Sequence, residues 1–121
     1  MISYVTIGTN DLERAAKFYD AVLGVLGARR AYETETFIAW NAKSGGPMIS
    51  LNKPYDGKPA TVGNGMMVAL TAESPAMVDA VHKKALELGA TDEGAPGPRG
   101  GGYYGYFRDP GGNKLCAAYL G

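Results

Sequence analysis

The second half of the chain repeats the first half, and this internal repeat limits the possible folds more than any other feature. Residues 4–11 (YVTIGTND) align with residues 67–74 (MVALTAES) at an offset of 63. In both copies a β-branched, apolar strand runs into polar residues that can cap a helix. Each copy also has a Gly-Gly turn before its final strand. Because a repeated unit of this kind rarely buries its apolar face alone, we expect the two copies to form one domain, residues 1–121.

The first copy, residues 1–53, is predicted to be a β-α-β-β-β unit. Residues 2–8 alternate between two faces, with Tyr4 and Thr6 on the same side, which is typical of a half-buried strand. A helix follows, capped by Asn10 or Asp11, because apolar residues then recur at spacings of three and four. The three short strands that complete the unit are predicted at residues 29–33, 36–41 and 47–52.

The second copy, residues 65–121, is predicted to follow a linker at residues 54–64 that is rich in proline and glycine. Ser74 is expected to cap its helix, with Pro75 at the first helical position. Residues 95–102 are predicted to be a Gly/Pro loop. The strands of this copy are predicted at residues 66–71, 91–94, 103–108 and 114–119, with an Asp-Pro-Gly-Gly-Asn turn at 109–113.

Composition and charge exclude several classes of function. The 12 basic and 12 acidic residues are interspersed and the net charge is zero, so no basic surface for nucleic acid or anionic lipid is expected. A single cysteine cannot form an internal disulfide. No apolar run approaches the length of a membrane span, and the first residues lack the charged region and following apolar region typical of a signal peptide. These features predict a cytoplasmic protein with neither a nucleic-acid nor a membrane partner.

The order of these elements resembles the vicinal oxygen chelate superfamily, which includes glyoxalase I, extradiol dioxygenases, and fosfomycin- and bleomycin-resistance proteins. The segments that carry the resemblance are YVTIGTNDLERAAKFYDAVLG, KPYDGKPATVGNG and YYGYFRDPGGNKL. The resemblance implies an α+β fold in which two βαβββ modules form a U-shaped mixed sheet. Its concave face would form a pocket, and helices would cover its convex face.

Metal-bearing members of this superfamily place His, Gln or Glu ligands on the first and last strand of each module. By the resemblance, the matching positions here hold Tyr4, Ser50, Met67 and Cys116. Divalent ions prefer imidazole and carboxylate ligands, whereas a thioether is a weak ligand and a phenol has a pKa near 10. We therefore expect no metal and no other cofactor.

Three other features were weighed for chemistry. His82, the only histidine, is expected to be a partly exposed helix residue rather than a ligand. Cys116 is expected to be a buried thiol rather than a nucleophile, because its strand offers no group that lowers its pKa. The glycines 100–102 lack the features of a phosphate-binding loop and predict a flexible lip. Arg99 on that lip either covers an anionic ligand or is a solvated surface residue.

The predicted binding surface is aromatic with a few hydroxyl groups. Strand alternation places part of the predicted binding residues on the face of the sheet away from the helices. A surface of this kind suits a flat or aromatic organic ligand. The alternative is that these side chains only fill the concavity or bury it in a dimer. The predicted binding residues are Tyr4, Thr6, Phe37, Trp40, Met48, Ser50, Met67, Arg99, Tyr104, Tyr106 and Cys116.

Two functions follow, and the sequence leaves both open. The first is metal-independent binding of a small aromatic or apolar molecule by a homodimer, similar to bleomycin-resistance proteins. Cationic bleomycin itself would need an acidic groove, which the charge balance does not offer. The second is a glyoxalase-type lyase or isomerase acting on a small carbonyl or glutathione-linked substrate, with Tyr4 or another tyrosine as acid or base. A pure interaction module is a third reading, and no catalytic residue is assigned.

Overall fold

A computed structural model describes all 121 residues. The chain divides into two compact units, Met1–Val62 and Gly63–Gly121. Each unit contains one α-helix and one four-stranded mixed sheet. The predicted α+β class and the predicted order of elements are therefore confirmed. Neither helix is long and apolar enough to cross a membrane.

The first unit contains the sheet β1-β4-β3-β2, called the first sheet below. Strands β1 and β4 are parallel, and the other neighbours are antiparallel. The helix begins after Asp11, whose side chain accepts a hydrogen bond from the backbone N–H of Arg14, as expected of an N-cap. The elements of this unit are β1 (Tyr4–Gly8), α1 (Leu12–Val25), β2 (Arg29–Glu33), β3 (Phe37–Asn41) and β4 (Met48–Asn52).

Residues 53–67, which follow β4, form neither helix nor strand, and part of this segment is hydrogen-bonded to the first unit. The amide of Asn10 makes two hydrogen bonds with the backbone of Ala60: Nδ2 donates to the carbonyl at 3.3 Å, and Oδ1 accepts from the N–H at 2.6 Å. Gly8 lies beside this contact, and a Cβ there would come within 3.2 Å of the Ala60 Cβ. The predicted linker is thus ordered against β1 over part of its length.

The second unit repeats this plan in the sheet β5-β8-β7-β6, called the second sheet. Ser74 caps its helix by accepting a hydrogen bond from the Met77 N–H, and Pro75 is the first helical residue, as predicted. The elements are β5 (Val68–Thr71), α2 (Pro75–Glu87), β6 (Thr91–Arg99), β7 (Gly102–Arg108) and β8 (Lys114–Tyr119).

Strand pairing agrees with the offset read from the sequence. In the first sheet Thr6 lies opposite Ser50, and in the second sheet Ala69 lies opposite Cys116. Thr6 and Ala69 are separated by the same 63 positions as the aligned segments. The parallel pair of strands therefore has the same register in both units.

The prediction of a loop over residues 95–102 is wrong. Strand β6 continues to Arg99, and only Gly100 and Gly101 form the turn into β7. Both glycines have positive φ, 52° and 94°, which two-residue hairpins of type I′ require. Pro96 and Pro98 suggested a loop, but β6 is an edge strand with two register shifts, and such strands tolerate proline.

The expectation that His82 is partly exposed is also wrong. His82 is 5% exposed and packs edge-on against the ring of Phe107. Its Nε2 lies 3.1 Å from Oδ1 of Asp92 and 3.2 Å from the carbonyl oxygen of Tyr106. Both partners are acceptors, since one is a backbone carbonyl and the other a carboxylate, whose pKa is lowered by the backbone N–H of Gly94 and by His82. Nε2 therefore carries the proton, and the imidazole joins α2 to β6 and β7.

The Asp-Pro-Gly-Gly-Asn turn before β8 forms as predicted. Asp109 is buried, and its Oδ1 accepts hydrogen bonds from the backbone N–H groups of Gly111 and Asn113, both at 2.9 Å. Its Oδ2 accepts from the side-chain amide of Asn113 at 3.0 Å. These bonds satisfy a buried carboxylate and fix the entry into β8.

Candidate functional site

The open face of each sheet, defined as the face opposite that unit's own helix, carries most of the predicted binding residues. In the first sheet Tyr4 and Thr6 of β1 lie beside Met48 and Ser50 of β4. Phe37 lies on the same face. Tyr4 is 59% exposed, whereas Ser50 is buried and its hydroxyl donates to Oδ1 of Asn52. This face combines an exposed phenol with a small group of hydroxyl and amide side chains.

Trp40 does not lie on this face. The prediction that it is a binding residue is therefore wrong. Its ring lies on the helix side of the sheet, 5.9 Å from the ring of Tyr19 in α1. Its indole N–H donates to Oδ1 of Asp20 at 2.8 Å. Trp40 is 1% exposed, so it is part of the core of the first unit. Its strand neighbour Ile38, two residues earlier, is buried on the same side.

The open face of the second sheet is dominated by two tyrosines of β7. The rings of Tyr104 and Tyr106 are stacked, with centroids 6.2 Å apart and planes inclined by 20°. Cys116 lies opposite Tyr106 on the neighbouring strand β8. Met67 directly precedes β5 and is well exposed. Three of the predicted binding residues, Tyr104, Tyr106 and Cys116, thus lie on one face of the second sheet.

Small residues flank both tyrosine rings. Tyr104 pairs with Ala118 on one side and Gly97 on the other, and Tyr106 pairs with Cys116 and Gly94. No large side chain from these paired positions projects beside the two rings. The side chains of the paired residues therefore do not cover the two rings.

Gly102 supports the position of the Tyr104 ring. A Cβ added to Gly102 would lie 2.7 Å from the Tyr104 hydroxyl and 2.7 Å from its Cε2. The ring therefore lies against the backbone of Gly102, two residues earlier on the same strand face. From the sequence alone, Gly102 is predicted only to be part of a flexible segment at the rim of the pocket.

Two cations approach the ring of Tyr106. Cζ of Arg99 lies 5.0 Å from the ring centroid, and Nζ of Lys114 lies 5.7 Å from it. Arg99 is therefore placed over an aromatic ring, where cation–π attraction favours it. Lys114 was missed in the sequence analysis. It lies two residues before Cys116 on β8, so strand alternation alone would have placed it on the same face.

Cys116 is buried and poorly suited to nucleophilic chemistry. Burial raises the pKa of its thiol above the ordinary 9.0, and the nearby Lys114 charge offsets this only in part. The thiolate is the reactive form, so a raised pKa makes the side chain less reactive at neutral pH. The expectation of a buried thiol is confirmed.

Residues 1–117 match the model of the Glyoxalase/Bleomycin resistance protein/Dioxygenase superfamily. The chain belongs to this superfamily. The comparison with curated proteins gives no significant match.

Several solved structures are similar to this chain over almost its whole length. A glyoxalase/bleomycin resistance protein from Albidiferax ferrireducens T118 is 39% identical, with a TM-score of 0.92 and 98% of each chain covered. A glyoxalase/bleomycin resistance protein/dioxygenase family enzyme from Burkholderia phytofirmans PsJN is 21% identical, with a TM-score of 0.78. The match covers 98% of this chain and 97% of that one. A lactoylglutathione lyase from Agrobacterium tumefaciens is 21% identical, with a TM-score of 0.72 and coverage of 98% and 92%. The last two show the shared fold alone.

The side chains at the metal-ligand positions of this superfamily do not fit a divalent ion. Tyr4 and Met67 supply a phenol and a thioether, the Ser50 hydroxyl is bonded to Asn52, and the Cys116 thiol has a raised pKa. No group of three or more His, Cys, Asp or Glu side chains is arranged to hold a metal. Imidazole, carboxylate and thiolate are the ligands that such ions require. The donor set therefore disagrees with the metal chemistry of the superfamily.

Proposed function

We propose that the chain binds a small aromatic or apolar organic molecule without a metal, and that the Tyr104–Tyr106 pair is its main recognition surface. The observation that carries this proposal is the stacking of the two rings on the open face of the second sheet. Ligand sites are mostly apolar and aromatic with a few polar groups. Tyr104 pairs with Gly97, where an added Cβ would meet nothing within 4 Å, so a flat molecule has room beside that ring.

The residues on the open face of the first sheet are a second part of this proposal. Tyr4, Thr6, Met48, Ser50 and Phe37 share that face. Their hydroxyl groups can hydrogen-bond a polar substituent of a ligand, and Met48 can contact an aromatic ring through its thioether. The role of this set in binding stays a prediction.

A glyoxalase-type lyase or isomerase ranks second. Acid–base catalysis works best with a group whose pKa lies near the working pH. The pKa of Cys116 is raised by burial, and the pKa of Tyr103 is raised by its hydrogen bond to Asp79. Neither shift brings a proton-transfer group toward neutral pH. Binding without turnover therefore agrees better with the side chains present.

The test uses 2-naphthamide, an uncharged aromatic probe, with untagged protein in the presence of EDTA. We expect the backbone amide NMR signals of Tyr104 and Tyr106 to shift on titration. Tyr104→Ala and Tyr106→Ala should each weaken binding about twofold to tenfold, because an aromatic pair contributes about 0.5–1.5 kcal/mol. Tyr55→Ala is the matched control, since Tyr55 is fully exposed in the segment after β4. Binding that appears only after a divalent metal is added would contradict the proposal.

The proposal includes a homodimer in the cytoplasm. Both features come from the sequence and the superfamily resemblance. Light scattering after size exclusion should give twice the mass of 12.7 kDa for this chain. A monomer at all concentrations would refute the dimer and leave the main recognition surface in place, because Tyr104 and Tyr106 lie on one strand of one chain.

A further inference from the structure

We infer that the molecule recognised by Tyr104 and Tyr106 is an aromatic carboxylate, and that Arg99 and Lys114 select its negative charge. This inference rests on the proposed function and specifies the chemical class of its ligand. It assigns separate tasks to two parts of one surface: the rings stack on the apolar body of the ligand, and the two cations bind its carboxylate.

Both cations converge on one ring. Cζ of Arg99 and Nζ of Lys114 lie over the ring of Tyr106, 5.0 Å and 5.7 Å from its centroid, so both charges meet at one ring of the stacked pair. A ligand stacked on this surface would have its substituents within reach of both charges. An aromatic pair flanked by cations matches the two halves of an aromatic carboxylate.

Neither cation is neutralised by an acidic residue. Several other basic residues belong to ion pairs: Arg30 with Asp20 and Glu33, and Arg108 with Glu93. No carboxylate oxygen lies within 4.0 Å of Arg99 or Lys114. The chain has no net charge, so this pair is a local positive excess rather than part of a generally basic surface.

Arg99 is held in place by the backbone of its own strand. Its Nη2 donates to the carbonyl of Ala95 at 3.3 Å. At Gly94 an added Cβ would lie 3.1 Å from that Nη2 and 3.1 Å from Cδ2 of Tyr106, so the missing side chain makes room for both groups. A guanidinium has five N–H donors in a planar fork that matches a carboxylate. Arg99 is thus oriented before any ligand arrives, which lowers the entropic cost of binding.

The charge pattern also excludes a class of ligands. A cationic aromatic molecule stacked on Tyr106 would place its charge beside Arg99 and Lys114, and like charges repel. A carboxylate gains charge-assisted hydrogen bonds at the same position. The surface should therefore prefer anionic over neutral, and neutral over cationic, members of a series that shares one ring system.

The experiment compares 2-naphthoate with 2-naphthamide, which share a ring and differ in charge. We expect 2-naphthoate to bind about tenfold more tightly at low salt, since a charge-assisted hydrogen bond exceeds a neutral one by about that factor. Raising the ionic strength should weaken binding of 2-naphthoate and leave 2-naphthamide unchanged. Affinities are measured by NMR titration of the full chain, followed at the amides of β7.

Charge-removing variants identify the residues responsible. Arg99→Gln and Lys114→Gln should each reduce the preference for 2-naphthoate, and the double variant should abolish it. Lys83→Gln is the matched control, because Lys83 is exposed on α2, on the helix side of the same sheet. Binding of 2-naphthamide to each variant reports whether the aromatic surface is still intact.

The outcomes separate the two proposals. Equal affinity of the wild type for both probes overturns the assignment of a carboxylate ligand and leaves the proposed aromatic binding standing. A preference that persists in the double variant overturns the roles of Arg99 and Lys114. If neither probe binds, the proposed function fails and this inference fails with it.

Discussion

Asp20 accepts a hydrogen bond from the buried indole N–H of Trp40 at 2.8 Å, and it forms an ion pair with Arg30 at the same time. Nε and Nη2 of Arg30 both donate to this carboxylate, at 2.9 and 2.8 Å. One side chain of α1 therefore joins the helix to β2 and β3. The contact explains why the only tryptophan faces the core instead of the open face.

Removing this carboxylate should destabilise the first unit. Asp20→Ala leaves the buried N–H of Trp40 without its partner, and such a loss costs about 1–3 kcal/mol. The measurement is urea unfolding followed by Trp40 fluorescence. Glu33→Ala is the control, because it removes only an exposed partner of Arg30 and should cost about 0–1 kcal/mol. Equal costs for the two variants would show that the bond to Trp40 contributes nothing.

The same carboxylate should make stability depend on pH in the acid range. Hydrogen bonds from Arg30 lower the pKa of Asp20 from 3.8, burial opposes this shift, and the Trp40 N–H adds to it. A carboxyl group whose pKa is lower in the folded state than in the unfolded state stabilises the folded protein fully at pH values above its unfolded pKa. This stabilisation is lost as the pH falls through its folded pKa. The stability difference between wild type and Asp20→Asn should thus be constant near neutral pH and shrink below about pH 4. Because Asp20 is partly exposed, we expect a difference of about 1 kcal/mol or less. A difference that grows on acidification would contradict the assignment.

Gly102→Ala should displace the ring of Tyr104 without unfolding the chain. The new methyl group would come too close to the far end of the ring, which can rotate away. We expect altered tyrosine bands in near-UV circular dichroism and weaker binding of 2-naphthamide. Gly97→Ala serves as the control, because its Cβ would meet nothing within 4 Å although Gly97 pairs with Tyr104. Similar spectra for both variants would mean that Gly102 does not position the ring.

His82→Ala should destabilise the second unit. The change removes a donor shared by Asp92 and the Tyr106 carbonyl, and it leaves a cavity beside Phe107. We expect a loss of about 2–4 kcal/mol in the free energy of unfolding by urea. Lys83→Ala, at the neighbouring exposed position, should change it by about 0.5 kcal/mol or less. A loss no larger than that of the control would mean that the hydrogen bonds of His82 to Asp92 and to the Tyr106 carbonyl do not stabilise the second unit.

Cys116 should react slowly with a thiol reagent in the folded protein. It is 1% exposed and burial raises its pKa, so both access and thiolate fraction are low. With 5,5′-dithiobis(2-nitrobenzoic acid) at neutral pH we expect little absorbance change until denaturant is added, after which one thiol per chain should react. A fast reaction before denaturation would show that the strand opens or that the thiol is activated.

The sequence predicted the fold well because both helices and most strands carry strong local signals. Asp11 and Ser74 cap their helices, and the aligned strands pair in matching registers. The second part of strand β6, residues 95–99, was predicted to be a loop because proline and glycine usually indicate one. The pairing that makes residues 95–99 a strand comes from β7, which no local signal reveals.

The site was predicted less completely because burial depends on partners distant in sequence. His82 follows Val78 and Val81 at spacings of four and one, within the buried stripe of α2, but its charged neighbours suggested exposure. Trp40 was assigned by residue type, whereas alternation with the buried Ile38 indicates the helix side. Lys114 gains its position over Tyr106 only through the pairing of β7 with β8.

The two prolines of β6 have an effect beyond the site. An outer strand offers unpaired backbone groups on which another polypeptide can add, and this is a common start of fibrils. Pro96 and Pro98 have no N–H to donate, and the two register shifts interrupt the regular spacing of backbone groups along this edge strand. A neighbouring molecule therefore finds no continuous template at β6, and this edge of the second sheet resists the addition of further strands.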